Sequence, residues 1–291
     1  MKILVLGGTR FFGKKLVTRL LDEGHEVTIA TRGKTADPFN DKVNRIVMDR
    51  EDHESLKLAV GSQHWDIVYD NICYSPQAAA SACEVFAGKV KHYILTSTLS
   101  VYEFGQEKLT ENSFDPYSYP IKLGKRTDFS YGEAKRLAEA VFFQQANFSV
   151  SAVRFPIVLG PDDYTKRLHF HIEQIKQEKP IGIPNKEAEM SYISSDEAAK
   201  FLHWLSHNHL SGPINACSKG ELSLREILTF IEKEVEMKAI VREETIEENR
   251  SPFGIPNTWC MDSSKAQKAG YEFQRIESWF PALIHEIVEE A

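Results

Sequence analysis

A tyrosine and a lysine stand four residues apart in the segment Tyr131-Gly-Glu-Ala-Lys135. On an α-helix this spacing puts both side chains on one face, about one turn apart. A nearby ammonium favours the phenolate form of tyrosine, and such a phenol can exchange a proton with a hydroxyl or carbonyl oxygen. Ser130 and Glu133 have the spacing of a capping box, which predicts that the helix starts at Tyr131. The pair therefore predicts an acid/base site.

A group of hydroxyl side chains ends an apolar run upstream of this helix. Thr96, Ser97 and Thr98 directly follow Leu95 at the end of a predicted strand. A hydroxyl at the edge of a sheet can bond to a substrate oxygen while a tyrosine exchanges its proton. We therefore expect a hydroxyl of this group to act together with Tyr131; the alternative is that these hydroxyls only cap a turn.

Near the start of the chain, an apolar run breaks at a glycine pair and restarts as an amphipathic pattern. The sequence Gly7-Gly8-Thr9-Arg10-Phe11-Phe12-Gly13 follows the apolar run, and a helical pattern then continues to Gly24. Glycines allow a tight turn close to a pyrophosphate, and the amides at a helix N-terminus attract its charge. Such a pattern also occurs in other α/β proteins, and here Arg10 replaces the middle glycine.

We expect this turn to bind a dinucleotide cofactor. The predicted contacts in the turn are Gly7, Thr9, Arg10, Phe11, Phe12 and Gly13.

The choice of cofactor depends on the end of the second predicted strand. Dinucleotide-binding folds that prefer NAD carry an acid there, whereas this chain has Thr31, followed by Arg32 and Lys34. A guanidinium attracts the 2′-phosphate that an acid would repel. The sequence therefore favours NADP(H), with Arg32 as a contact, while NAD(H) stays possible because Arg32 could simply face solvent.

Strand and helix patterns alternate through the first half of the chain. This alternation predicts an α/β fold, namely a Rossmann-type, doubly wound parallel sheet. The predicted strands cover residues 2–6, 26–31, 43–48, 66–69, 92–96 and 148–155. The predicted helices lie between them: the first follows the glycine turn and ends at Gly24, and the others cover 54–60, 77–86 and 131–145. Residues 103–130 are predicted to form an irregular loop that contacts the ligand.

The alternation weakens after Gly160-Pro161. Helical patterns at 168–177, 197–206, 224–235, 263–269 and 280–289 predict a smaller, C-terminal substrate lobe. We therefore divide the chain into a dinucleotide-binding domain at 1–160 and a mainly substrate-binding lobe at 161–291. This boundary is approximate, and segments could interleave across it.

The composition excludes several classes of protein. The chain has 291 residues, is 42% hydrophobic and carries a formal net charge of −7, so a disordered or fibrous chain is excluded and nucleic-acid binding has no obvious electrostatic source. Four widely spaced cysteines suggest reduced thiols. The chain begins at a strand and has no long apolar stretch, which predicts a cytoplasmic protein without a membrane segment.

The histidines near residue 205 could suggest a metal site, since His203 and His207 share a helix face and His209 follows. No acid stands beside them in the spacing that zinc enzymes use, and histidines at helix ends are usually surface or capping residues. We therefore predict no metal.

The chain resembles the extended short-chain dehydrogenase/reductase superfamily, the NAD-dependent epimerase/dehydratase group. The motifs that carry the resemblance are, in order, the glycine turn at 7–13, Asp49, the Thr-Ser-Thr-Leu-Ser-Val-Tyr stretch at 96–102, Tyr131 with Lys135, and Arg154-Phe-Pro-Ile-Val-Leu-Gly-Pro at 154–161. The resemblance implies that Asp49, with Arg50, contacts adenine. It also implies that Phe155, Pro156 and Ile157 lie beside the nicotinamide, and that Thr98, Tyr131 and Lys135 form the active site.

The chain also departs from this family. Met190 stands where many members use an arginine on the substrate's diphosphate, which puts a nucleotide-sugar substrate in doubt. Leu99 and Ser100 replace the Asp-Glu pair of sugar-nucleotide 4,6-dehydratases. The short segment 71–96 does not allow the family's active-site asparagine or its usual dimer to be carried over, so the oligomeric state stays open. The turn with Arg10 resembles that of an atypical branch that includes chloroplast stem-loop RNA-binding proteins.

These observations predict an oxidoreductase or epimerase that transfers hydride between a nicotinamide and a carbonyl or secondary alcohol of a small molecule. Tyr131 would be the acid/base, Lys135 would favour its phenolate and hold the ribose, and Thr98 would orient the substrate. The alternative is a non-catalytic, cofactor-sensing or RNA-associated protein on the same fold.

Overall fold

The computed structural model describes residues 1–105 and 107–290. Gln106, which belongs to the predicted loop at 103–130, and Ala291, which ends the predicted C-terminal lobe, lie outside the described residues. The strands are β1 (Lys2–Leu6), β2 (Glu26–Thr31), β3 (Asn44–Val47), β4 (Trp65–Asp70), β5 (Val90–Thr98), β6 (Ser149–Phe155), β7 (Ile157–Leu159), β8 (Pro180–Gly182), β9 (Glu189–Met190), β10 (Tyr192–Ser194), β11 (Gly212–Asn215), β12 (Leu222–Ser223) and β13 (Ile240–Arg242).

The helices alternate with the first six strands, as the sequence predicted. They are α1 (Phe11–Asp22), α2 (His53–Val60), α3 (Pro76–Val85), α4 (Tyr131–Gln145), α5 (Arg167–Lys176), α6 (Ser195–Trp204), α7 (Leu224–Val235), α8 (Ser264–Lys268) and α9 (Phe280–Glu290). The predicted β1, β2, α4 and α7 have the observed bounds, and the other predicted elements differ by a few residues at their ends. The segment 103–130 is irregular apart from short 3₁₀ turns, where it is described.

A parallel sheet of seven strands, in the order β11-β6-β5-β4-β1-β2-β3, forms the centre of the described chain. Helices α1 and α6 cover one face and α2, α3 and α4 the other. The predicted doubly wound Rossmann sheet is therefore confirmed. The strand order reverses between β1 and β4, and in such folds ligands bind in the crevice beyond the carboxyl ends of the strands at that point.

Residues beyond 160 contribute to the central sheet as well as to a second core. Strand β11 pairs with β6, and α6 packs on α1. The remaining C-terminal elements surround a separate apolar core that includes Leu168, Ile227 and Phe280. Elements from the second half of the chain thus lie in both layers, and the domain boundary near residue 160 stays a prediction.

The start of α4 differs from the predicted capping box in one respect. The Ser130 hydroxyl accepts a bond from the Glu133 amide at 3.4 Å, as predicted. The Glu133 carboxylate does not return to Ser130 but accepts a bond from the Tyr119 hydroxyl at 3.0 Å. Only half of the box forms, because the loop supplies a competing donor.

Two further predictions concern the cysteines and the membrane. All four cysteines are free and buried, and burial raises the pKa of Cys73 to about 11 and that of Cys217 to about 12, so both stay protonated thiols at neutral pH. No helix within residues 1–105 and 107–290 has both the length and the apolar content to cross a bilayer.

Candidate active-site cleft

A cleft of about 1040 Å³ lies at the carboxyl edge of the sheet, where the strand order reverses. It brings together every site residue that the sequence predicted, although they come from six separate segments of the chain. Those residues are Gly7, Thr9, Arg10, Phe11, Phe12, Gly13, Arg32, Asp49, Arg50, Thr98, Tyr131, Lys135, Phe155, Pro156 and Ile157. Lining a common cleft does not assign roles to them, so the individual contacts decide what each residue can do.

The glycine turn is as tight as its sequence predicts. Gly7 and Gly8 have φ angles of 96° and 90°, which residues with a β-carbon rarely adopt. A β-carbon at Gly13 would lie 3.1 Å from the Gly8 Cα atom, so the third glycine lets α1 approach the turn closely. The turn therefore leaves open backbone at the floor of the cleft.

The first turn of α1 supplies backbone donors beside these glycines. The Lys14 amide makes the first helical bond, to the Arg10 carbonyl at 3.1 Å, which leaves the amides of residues 11–13 without an intrahelical acceptor. Phe11 has a φ of 50°, a strained value for a bulky residue, and its buried ring packs on Phe12 and Tyr164. Packing thus holds this strained backbone at the place where a phosphate would bind.

Arg10 extends away from the turn toward the segment that follows β2. Its guanidinium donates to the Thr35 hydroxyl at 3.0 Å and lies 5.5 Å from the centre of the Tyr164 ring. Arg32 and Lys34 line the same end of the cleft. The Arg45 guanidinium donates to the Asp37 carboxylate at 2.7 and 2.9 Å, which lowers the pKa of Asp37 and neutralises its charge. This end of the cleft is therefore basic.

Asn71 is a residue that the sequence analysis did not select. It directly follows β4, and its Oδ1 accepts a bond from the Thr96 hydroxyl at 2.7 Å. Its Nδ2 is buried and has no hydrogen-bond partner in the described part of the chain. That nitrogen would lie 3.5 Å from a β-carbon at Gly13, so a free donor stands beside the glycine turn. The signal in the sequence that could have identified Asn71 is its position after the fourth predicted strand.

Lys135 is buried in the wall of the cleft, with 2% of its surface exposed. Its Nζ donates to the Cys73 carbonyl at 2.9 Å and to the Thr96 carbonyl at 2.6 Å. These bonds connect α4 to the ends of β4 and β5. An ammonium has three N–H donors, so one donor remains for a ligand.

Thr98 and Tyr131 lie at the mouth of the cleft. The Thr98 hydroxyl accepts a bond from the Ser100 amide at 3.1 Å and caps the turn at residues 99–101. It therefore has the capping role that the sequence left open as an alternative, and it also lines the cleft. Tyr131 is half exposed. It begins α4, whose second residue, Gly132, approaches the backbone of Ser100.

The side chains of Arg50 and Asp49 differ in whether they are free to contact a ligand. The Arg50 guanidinium is buried and donates to Asp70 at 2.7 and 3.0 Å and to the Ala78 carbonyl at 2.9 Å. Its charge is thus neutralised inside the protein. Asp49 is exposed at the cleft and accepts a bond from the Glu51 amide at 3.0 Å. Of the two, only the Asp49 carboxylate presents a free face to a ligand.

Comparisons with known proteins agree with this geometry. Residues 3–83, which contain β1 to most of α3 and the glycine turn, match the family model described as the NAD dependent epimerase/dehydratase family. Within these residues the chain is similar to that family. Its fold is also that of solved epimerases. A putative epimerase from Burkholderia cenocepacia superposes with a TM-score of 0.78 at 15% identity, over 99% of this chain and 97% of that one.

Two further proteins are similar to this chain. The UDP-glucuronic acid 4-epimerase from Bacillus cereus, solved in complex with NAD, has a TM-score of 0.76 at 19% identity and covers 100% of this chain and 99% of its own. At such identities the likeness is one of fold. The chloroplast stem-loop binding protein of 41 kDa b from Arabidopsis thaliana is 27% identical over 231 residues, which are 73% of this chain and 57% of that protein.

The far wall of the cleft comes from the C-terminal half of the chain. Met190 is buried there on β9, beside Ile255 and Trp259. The Trp259 ring packs against Phe104 at 4.6 Å, and its buried Nε1 has no partner among the described residues. Around Met190 this wall is therefore apolar, and residue 190 offers no cation to a phosphate group.

Proposed function

We propose that the chain is a nicotinamide-dinucleotide-dependent oxidoreductase or epimerase that acts on a carbonyl or secondary alcohol. The observation that carries this proposal is that one cleft joins the open glycine turn to Thr98, Tyr131 and Lys135. The family match and the epimerase fold support the nicotinamide class of cofactor. When bound, the nicotinamide accepts or donates hydride.

The chain offers three groups of donors for such a cofactor. The backbone amides of residues 11–13 and the Asn71 side-chain nitrogen would hold the pyrophosphate at the glycine turn. The remaining N–H of Lys135 would bond to the ribose next to the nicotinamide. Asp49 would contact the adenine end. These groups fit a dinucleotide because Asn71 Nδ2 has no partner among the described residues, Lys135 keeps one N–H beyond its two bonds, and the Asp49 carboxylate is exposed.

Tyr131 would move the proton that accompanies hydride transfer. When a substrate carbonyl is reduced, the phenol hydroxyl gives its proton to the carbonyl oxygen; in the reverse direction it takes the proton from the alcohol. Thr98 orients that oxygen with its hydroxyl. Lys135 lies in the same wall, one helical turn along α4 from Tyr131. The result is reduction, or epimerisation when the ketone is reduced again from its other face.

The test is a comparison of wild type with Y131F. Reduced-cofactor binding is followed by fluorescence, and turnover is followed at the nicotinamide absorbance with small ketones, aldehydes and UDP-glucose. We expect Y131F to bind cofactor with unchanged affinity and to lose turnover by about 10²-fold or more. Y164F, which alters an exposed tyrosine on the same cleft, is the matched control. Retained turnover in Y131F would remove the proposed mechanism.

We further propose a preference for NADP(H). No acid follows β2, Arg32 and Lys34 line that end of the cleft, and Asp37 is neutralised by Arg45. R32A should weaken NADPH binding by about tenfold, the loss of one charge-assisted contact, and leave NADH binding unchanged. R275A, outside the cleft, is the control. A wild type that binds NADH more tightly than NADPH, as the NAD complexes of the structural relatives would suggest, contradicts this preference.

A second candidate function is association with structured RNA, which the match to a stem-loop binding protein favours. The net charge of −7 opposes it. A filter-binding titration with stem-loop RNA at several salt concentrations tests this second candidate function. A steep fall of affinity with salt indicates phosphate contacts and supports RNA binding, whereas no saturable binding rejects it.

A further inference from the structure

Three histidines surround one carboxylate on the surface opposite the cleft opening. Glu23 follows the end of α1, so it lies at the other end of that helix from the glycine turn. Its Oε2 lies 3.0 Å from His25 Nε2, 2.9 Å from His203 Nε2 and 2.9 Å from His207 Nε2. His203 ends α6 and His207 follows it by four residues. Two neighbouring helix ends thus direct three imidazole nitrogens at the same oxygen.

Hydrogen bonding does not fully account for this cluster. His207 makes a well-oriented bond to Glu23. The buried Nε2 atoms of His25 and His203 have no hydrogen-bond partner in the described residues, although they are close to the carboxylate. The positions of these two nitrogens beside the carboxylate are therefore not explained by hydrogen bonds.

The spacing of these atoms suits a small divalent ion. The ligand atoms of Glu23, His25 and His207 all lie within 4.8 Å of one another. Zinc takes imidazole nitrogens at about 2.0–2.1 Å and carboxylate oxygens at about 2.0–2.2 Å in tetrahedral sites, which places neighbouring ligand atoms a little over 3 Å apart. Small side-chain rotations would bring these three groups to those distances, and His203 Nε2 lies beside them, 2.9 Å from Glu23 Oε2. Imidazole and carboxylate together favour zinc and similar transition ions over calcium or magnesium.

We propose that Glu23, His25 and His207, with His203 beside them, form a divalent transition-metal site, of the zinc class, that connects the end of α1 to the end of α6. The sequence analysis predicted no metal because no acid stands beside the histidines, but the fold brings Glu23 from 184 residues earlier in the chain. His209 does not take part, since it lies against His92 at 3.3 Å. The site is structural: it holds two packed helices together and does not touch the cleft.

The test uses the full chain without a polyhistidine tag, stripped with a chelator. Zinc binding is measured by calorimetry, and cobalt binding by the visible absorption that tetrahedral sites give. We expect one ion per chain, a higher thermal midpoint with zinc, and at least tenfold weaker binding in H207A and in E23Q. The control H285A removes a histidine that also pairs with a glutamate, Glu234 at 2.6 Å, elsewhere on the surface.

Two results would overturn the proposal. One is the absence of stoichiometric zinc binding in the wild type. The other is equal affinity in H207A and H285A, which would mean adventitious binding to surface histidines. Thermal midpoints in chelator show that each variant is folded, and E23Q tests the site without removing any histidine. Cofactor affinity should stay the same in all variants, because the site and the glycine turn are at opposite ends of α1.

Discussion

A β-carbon at Gly132 would lie 2.5 Å from the carbonyl oxygen of Ser100, so α4 can meet the end of β5 only because residue 132 has no side chain. This contact places Tyr131 beside the turn that Thr98 caps. Within the Tyr-Gly-Glu-Ala-Lys segment, the glycine therefore has a positioning role that the spacing of the tyrosine and lysine does not reveal.

The first prediction concerns this contact. G132A must move α4 away from Ser100, which separates Tyr131 from Thr98 and from the substrate. A displacement of about 1 Å can cost about 10²-fold in rate, so we expect kcat to fall by about that factor while cofactor binding changes little. Steady-state kinetics and a cofactor titration measure both. G105A is the control, because a β-carbon at Gly105 has only ordinary contacts; an unchanged kcat in G132A would contradict the positioning role.

The second prediction tests Asn71 as a donor at the glycine turn. N71D replaces a free N–H donor with a negative charge beside Gly13, where a pyrophosphate would bind. Repulsion and the lost bond should weaken cofactor binding by about 10²-fold, which corresponds to about 2.7 kcal/mol. Calorimetric titration with the reduced cofactor measures the change. N44D adds the same charge to an exposed position on β3 and should bind normally. If both variants bind alike, Asn71 has no contact with the cofactor.

The third prediction concerns a buried ion pair behind the cleft. Glu139 and Arg154 are both fully buried and paired at 2.6 Å, and Arg154 also donates to the Tyr102 hydroxyl and to the carbonyl of Phe114. E139Q leaves the arginine charge without its counter-ion and should lower the free energy of unfolding by about 3–5 kcal/mol. Urea denaturation measures this loss. E187Q, which breaks an exposed pair with Arg225, should show no measurable change.

The fourth prediction is a loss of stability in mild acid. Burial lowers the pKa of His92 and of His171 to about 4, and His171 is held as a neutral ring between the Arg167 carbonyl at 3.0 Å and the Ser251 hydroxyl at 2.8 Å. The unfolded chain takes up protons at these histidines near pH 6.5, but the folded chain does not until about pH 4. Stability should therefore fall as the pH drops between these values, by up to about 3 kcal/mol for each histidine.

Urea denaturation at pH 7 and pH 5 measures this dependence. H171N removes the titrating ring and should reduce the difference between the two pH values, although it also lowers stability at pH 7. H64N alters an exposed histidine and should leave the difference unchanged. A pH difference in H171N as large as in the wild type would show that His171 does not contribute.

The sequence determined the features that depend on local spacing. The period of apolar residues predicted the alternating strands and helices, and the glycines predicted the turn after β1, because both follow from backbone geometry over a few residues. The same holds for Tyr131 and Lys135 on one face of α4. These local patterns were sufficient to predict the parallel sheet, and together with the resemblance to a known family they selected residues that line one cleft.

Only the tertiary structure decided the features that join distant segments. The free donor of Asn71 beside the glycine turn, the approach of Gly132 to Ser100, the place of β11 in the central sheet and the three histidines around Glu23 all depend on packing between elements that are far apart in the chain. Half of the predicted capping box does not form for the same reason, since the Tyr119 hydroxyl donates to the Glu133 carboxylate. Side-chain spacing fixes which residues share a face of one element, but the packing of the elements decides which faces meet.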